Sequence, residues 1–276
     1  MDKLEKNLGI IFLTGLLLLL PRGFLLAETR PAENRINREF FKNFADDFSK
    51  VLISPKNWGK RDFLNFSAVF SAGLLFYAFD QDIRNWVQDR RSQSSDEVFN
   101  FITHLGDGGI LLGSIAASYA AGEVFNSNSL RKTALLCLES WLTAGFIVGG
   151  LKFVVGRARP GSGESSHAFH PFSMRSSFTS FPSGHSASAF AVAETIAEQS
   201  RETYADILAY SLATLVALSR VHNDEHWASD VFIGSSIGYF VAKKICSLDR
   251  NRDSKKVKVG IQFSAQNRAL SIALSF

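Results

Sequence analysis

Six apolar runs divide the chain, at roughly 64–79, 109–124, 134–155, 185–199, 205–219 and 229–246, and all are rich in Ala, Gly and Ser. Small side chains at that density let helix backbones approach closely, so the runs predict an all-α fold, a bundle of about six core helices. Most are about 14 to 17 residues long, and only 134–155 comfortably reaches the ~20 residues that a bilayer-spanning helix needs. A short helix is expected around 38–52, and a more amphipathic stretch around 96–105. A chain of 276 residues, 46% hydrophobic, fits one large domain rather than two.

The two ends read differently. Lys3 and Lys6 precede an uncharged run, Leu8 to Leu20, which has signal-peptide length and is short for a membrane span. With Ala27 as an acceptable cleavage residue, 1–27 is expected to be an export signal, an uncleaved anchor being the alternative. Residues 28–63 form a polar N-terminal segment, and 64–246 the helical-bundle domain. In 247–276 a charged linker leads into a tail of changed period. Val257, Val259, Ile261 and Phe263 alternate, as do Leu270, Ile272, Leu274 and Phe276, so a C-terminal β-hairpin is expected.

Three short segments carry the chemistry. The first runs from Lys152 to Arg159-Pro160, the second is Pro182-Ser183-Gly184-His185, and the third joins Ser219-Arg220 to His226 and Asp230. A phosphoryl group in transfer spreads negative charge over its equatorial oxygens, and without a metal ion Lys and Arg must meet that charge. Arg adds a fixed fork of donors suited to phosphate oxygens. Lys152 and Arg159 lie seven positions apart, about two helical turns, so both can point to one side of a helix that Pro160 ends. Ser183 reads as an N-cap and Gly184 lets the backbone come close to an anion at a helix N-terminus. His185 is then placed to protonate a leaving alkoxide. His226 and Asp230, four apart, share a face if their segment is helical; the carboxylate would fix the imidazole tautomer and leave the other nitrogen free to attack phosphorus.

Each segment alone has an ordinary reading. A Lys and an Arg near a helix end commonly solvate it. Pro-Ser-Gly is commonly a turn and a cap. A His/Asp pair at helical spacing is often a structural hydrogen bond or half of a metal site. All of these would have to hold at once, in this order. Other histidines are weaker: His167 and His170 sit in the loop between the first two segments, and His104 and His222 receive no role. Glu139 and Glu194 fall in apolar runs, where a structural hydrogen bond is the favoured reading. Cys137 and Cys246 suggest neither a metal motif nor a disulfide framework.

In their order and spacing the three segments resemble those of the type 2 phosphatidic acid phosphatase superfamily, which includes bacterial acid phosphatases and vanadium haloperoxidases. The resemblance covers roughly 64–246 and implies a metal-independent phosphatase, working through a phosphohistidine on a phosphate monoester or diphosphate. It implies that Lys152, Arg159, Ser183, Gly184 and Arg220 bind phosphate. His226 would be the nucleophile, oriented by Asp230, and His185 the general acid. No cofactor is implied; vanadate is expected to inhibit. A phospholipid or isoprenoid phosphate is the favoured substrate. A vanadate-dependent haloperoxidase of the same fold, a non-catalytic envelope scaffold and a metal-dependent hydrolase remain as alternatives.

A net charge of +4 without a basic block gives nucleic acid binding little support, so the expected partners are a phosphorylated lipid or small phosphoester and the membrane. Location is less direct. If the N-terminus is exported and all six helices also span, the third ends in the cytoplasm and takes the site with it, whereas members of the family generally face outside. Short helices favour an exported protein, periplasmic or membrane-associated, with an integral membrane protein as the close alternative.

Overall fold

The computed structural model describes residues 34–200 and 202–256, and the backbone of two short strands beyond them. The apolar run Leu8–Leu20 and Ala27 lie outside the described residues. Among the described residues eight α-helices follow one another: α1 (Arg38–Ile53), α2 (Lys60–Gln88), α3 (Gln93–Thr103), α4 (Gly108–Val124), α5 (Asn128–Val155), α6 (Gly184–Ser200), α7 (Thr203–His222) and α8 (Ala228–Lys256). The backbone of β1 (Lys258–Ser264) pairs antiparallel with β2 (Ala269–Ser275), Ile261 opposite Ile272.

Local chemistry starts these helices. The Asn37 side chain accepts the Phe40 N–H at 2.9 Å to open α1, and Asp107 accepts those of Gly109 and Ile110 at 2.8 and 3.3 Å to open α4. Ser92 caps α3 and Ser127 caps α5 in the same way. Length is less local. Charged residues flank the apolar cores, and the sequence reading ended the helices there; in the structure α2 runs on through Asp80 and Arg84 because distant partners satisfy them. Among the described residues four helices are consequently long and apolar enough to cross a bilayer: α2, α5, α7 and α8 as far as Ser254. This corrects the expectation that only 134–155 reaches spanning length, and it favours integral membrane residence. On α2 only 6% of the apolar window is buried, and Phe63, Leu64, Phe66, Phe70 and Leu75 face outward.

The centre of the bundle is α6, whose alanines make the core. Ala191 packs with Leu136, Ala144, Val241 and Ile245, and Val192 with Leu111, Ile115 and Cys137. Ala189 and Ala193 pack with Ala209, Ala213 and Val216 of α7. Between α6 and α8 the backbones touch. A Cβ on Gly234 would lie 2.4 Å from the Ser183 carbonyl oxygen, and one on Gly238 2.1 Å from that of Ala187. Gly234 and Gly238 therefore seat α8 directly against the first turns of α6.

The C-termini of α2, α5 and α7 gather with the N-termini of α4, α6 and α8 at one end of the bundle. Asp80 meets Ser229 there, Lys152 meets Gly184, and Arg84 meets Asp224. At the other end Lys132 reaches Asp249 at 2.7 Å, and Arg252 holds Asp47 of α1 at 2.5 Å. Six helices thus run alternately between two polar ends, and all three sequence segments lie at the first.

Candidate active site

Lys152 stands in the last turn of α5, which Gly156 stops by turning left-handed at φ +60° and returning its N–H to the Lys152 carbonyl at 2.9 Å. A Cβ at Gly156 would fall 1.8 Å from the His170 carbonyl oxygen, so glycine is required twice over. The helix therefore ends ahead of Arg159 and Pro160. This corrects the expectation that Lys152 and Arg159 share one helix: Arg159 is extended, at φ −75° and ψ 153°, with its N–H on the Ser177 carbonyl at 2.8 Å.

The loop brings the two cations together nonetheless. Lys152 Nζ donates to the Thr179 carbonyl, and an Arg159 Nη lies 3.5 Å from the Thr179 hydroxyl. Gly184 faces Lys152, its Cβ position 3.8 Å from Lys152 Cε. Arg220, in the last turn of α7, donates to the Thr103 hydroxyl. Arg159 and Arg220 converge on one carboxylate, that of Glu225, to which Arg159 donates directly and from which Arg220 Nη2 is 3.6 Å away. The Nε–H groups of both arginines are buried without a partner.

Ser183 is fully buried at the start of α6. Its N–H goes to the Asp230 carbonyl at 2.9 Å, and its Oγ accepts from the Ser186 hydroxyl at 2.9 Å and, at 3.5 Å, from the Ser186 N–H. Its hydroxyl proton thus remains to be donated. His185 follows, packed beside Gly106, where a Cβ would be 3.2 Å from His185 Cβ.

His226 lies in the turn between α7 and α8, not on a helix. Its N–H and that of Glu225 both reach the Arg220 carbonyl, at 3.2 and 3.1 Å. Asp230 occupies the first turn of α8, its Oδ2 3.9 Å from His226 Nδ1, near enough for charge but too long for a hydrogen bond. His226 Nδ1 is buried and has no hydrogen-bond partner. Burial dominates its acidity: with the Lys152 and Arg159 charges acting in the same sense and Asp230 opposing them, the imidazole pKa falls to about 3. At about 3, the imidazole is held in its neutral form at ordinary pH.

The sequence reading missed the group that holds Asp230. Arg157, 1% exposed, donates to Asp230 Oδ1 and to Asp80 Oδ2, both at 2.7 Å, and to Ser229 Oγ at 2.7 Å. It also donates twice to the Ser166 carbonyl and lies over the Tyr77 and Trp227 rings at 4.9 and 5.5 Å. Asp80 in turn accepts from the Ser229 N–H and hydroxyl at 2.9 and 2.5 Å. Ser180 and the Trp227 N–H complete the shell of Asp230 Oδ2, at 2.5 and 3.1 Å. Four residues later on α2, Arg84 forms a two-pronged pair with Asp224, at 2.6 and 2.7 Å, which fixes the turn leading to His226.

Several of the weaker candidates have structural partners. His167 bonds the Tyr77 hydroxyl at 2.7 Å, and His170 bonds Glu164 at 2.7 Å while stacking on Phe178. His222 reaches Ser95 at 3.1 Å. Glu194 accepts from the Tyr210 hydroxyl, and Lys243 lies 3.7 Å from it. Glu139 is buried with one carboxylate oxygen unpartnered, far along α5 from the site. Cys137 and Cys246 are free and buried.

Residues 133–253 match the family model described as PAP2 superfamily. The lipid A 1-phosphatase of Porphyromonas gingivalis is 33% identical over 101 residues, which cover 36% of this chain and 20% of that protein. Phosphatidylglycerophosphatase B of Bacillus subtilis is 35% identical over 164 residues, covering 54% of this chain and 73% of the relative. The chain thus spans a fifth of the first relative's length. Among solved structures, a transmembrane PAP2-type phosphatidylglycerolphosphate phosphatase from Bacillus subtilis is similar with a TM-score of 0.54 at 26% identity, over 67% of this chain and 96% of that one. Aquifex aeolicus LpxE has the same fold at a TM-score of 0.50 and 19% identity, over 60% and 94%. The transmembrane neighbour and the four helices of spanning length together support a membrane protein.

Proposed function

The chain belongs to the PAP2 superfamily, and on that premise we propose that it hydrolyses the phosphate monoester or diphosphate of a phospholipid or isoprenoid, through a phosphohistidine and without a metal ion. One observation carries the reading: three cations and a buried imidazole converge at one end of a bundle whose flanks are apolar. Lys152, Arg159 and Arg220 hold the equatorial oxygens, joined by the Ser183 hydroxyl and the unpaired N–H groups at the start of α6. His226 Nε2 attacks phosphorus in line with the leaving oxygen, so that an N–P bond forms as the P–O bond breaks. His185 gives that oxygen its proton. Water then attacks the phosphohistidine, releasing its proton to His185, and the N–P bond breaks to free phosphate and His226. The imidazolium character that develops on attack draws Asp230 in from 3.9 Å, the step in which it orients the ring.

The lipid substrate is supported by the names of the two relatives, a lipid A 1-phosphatase and a phosphatidylglycerophosphatase, and by spanning helices that bring the site to a bilayer surface. We assign the site to the non-cytoplasmic side. Lys60 and Arg61 at the start of α2, and Lys132, Arg250 and Arg252, lie at the opposite end, the distribution expected of a cytoplasmic face. Phosphate release from lipid phosphates, isoprenoid diphosphates and soluble phosphomonoesters in detergent micelles tests the reading. The lipid-linked substrates are expected to turn over fastest and His226→Ala to be inactive; an active His226→Ala enzyme refutes the mechanism.

A further inference from the structure

We propose that Glu225 is a built-in competitor for phosphate, a carboxylate that occupies the arginine cradle and must leave it before substrate binds; this rests on the reading of Lys152, Arg159 and Arg220 as the phosphate site. Glu225 precedes His226, and a single oxygen, Oε2, is shared by Arg159 Nη1 and Arg220 Nη2. Those are the guanidinium edges that a phosphate oxygen would use, and a carboxylate and a phosphate present the same charged acceptor to an arginine fork. Both are not held there together: two anions in contact distance of each other repel, and Glu225 Oε2 already draws on an Nη of each arginine.

The loop is built for the side chain to move while the backbone stays. The Glu225 and His226 N–H groups are fixed on the Arg220 carbonyl. Asp224, left-handed at φ +58°, is fixed by the two-pronged bond to Arg84. The Glu225 side chain is 41% exposed, against 9% for Arg220, so it can turn outward into solvent while the arginine cannot. The other cradle cation, Lys152, rests on the neutral Thr179 carbonyl, which repels no phosphate. The competition is thus confined to the two arginines.

Apparent affinity for an anion is then reduced by the fraction of molecules in which Glu225 has left the cradle. Removing the charge lifts that reduction, so Glu225→Gln is expected to tighten the binding of inorganic phosphate and orthovanadate about tenfold, and to lower KM rather than raise kcat. Glu225→Asp, which keeps the charge but is too short to reach both arginines, is expected to tighten binding by a smaller factor. The experiment is titration calorimetry of the full-length protein in detergent with phosphate and with vanadate, for wild type, Glu225→Gln, Glu225→Asp and Arg159→Gln. Weakened binding in Arg159→Gln together with tightened binding in both Glu225 variants supports the proposal. Weakened binding in Arg159→Gln with unchanged or weaker binding in Glu225→Gln overturns it and leaves the cradle standing. Phosphate affinity indifferent to Arg159→Gln overturns the cradle and the competitor together.

Discussion

Replacing Arg157 with Met should cost more stability than replacing Lys152, Arg159 or Arg220. Met fills much of the aliphatic volume of Arg but removes five hydrogen bonds: two to the Ser166 carbonyl and one each to Ser229, Asp230 and Asp80. The larger effect is electrostatic. Asp80 and Asp230 are 1% and 0% exposed, and both would remain buried with their shared counter-ion gone. Removing one partner of a buried ion pair typically costs roughly 3–5 kcal/mol, because the charge left behind is uncompensated. Asp80→Asn should cost less, about 1–3 kcal/mol, since the amide oxygen can still accept from Ser229 and Arg157 keeps Asp230. The double variant should then be more stable than the sum predicts, because the second change removes a charge that the first had stranded. Unfolding of the detergent-solubilised protein, followed for wild type, both single variants and the double variant, measures all four corners. Arg157→Met within about 1 kcal/mol of wild type, or strictly additive costs, would refute the idea that this triad holds Asp230 in place.

Three further outcomes follow from the site. His185→Ala should damage hydrolysis of an alkyl phosphate far more than that of p-nitrophenyl phosphate, whose leaving group needs little protonation; equal losses in kcat/KM would assign His185 to binding or structure instead. Activity should survive exhaustive chelation and be inhibited by vanadate, whereas loss with EDTA and recovery with Zn or Mg would favour a metal-dependent hydrolase. His226, held at about 3 against 6.5 in the unfolded chain, stays neutral in the fold while the unfolded chain takes up a proton. The stability it contributes is therefore complete above about pH 6.5 and is lost as pH falls toward 3, so His226→Gln should flatten unfolding midpoints across that window.

The existence of the core helices was legible because Ala, Gly and Ser punctuate six apolar runs, and the eight candidate residues, which the fold gathers at one end, could be picked out because phosphate chemistry asks for those types. Helix ends were not. Asp80 and Arg84 look like the polar close of an apolar run, and only their partners, Arg157, Ser229 and Asp224, explain why α2 continues through them. Those partners lie far along the chain, and no local pattern points to them. Gly156 is a different case. A glycine four residues after Lys152 is an ordinary helix-ending signal, and it overrides the proline that follows it. Arg157 was hidden by its neighbour: beside Arg159 it reads as one more surface cation, yet it is buried at 1%.

The matched family segment, 133–253, omits α2, and this sets the smallest piece that can be transplanted. A chimera that grafted the three segments onto another bundle would carry Arg157 without Asp80, the Ser229 N–H without its acceptor, and Asp224 without Arg84. The host would have to supply an aspartate and an arginine four residues apart on a helix arriving from the far side of the bundle. Swapping the site between relatives should therefore succeed only when the end of α2 travels with it, which makes residues 80–84 as much a part of the heritable unit as the motifs themselves.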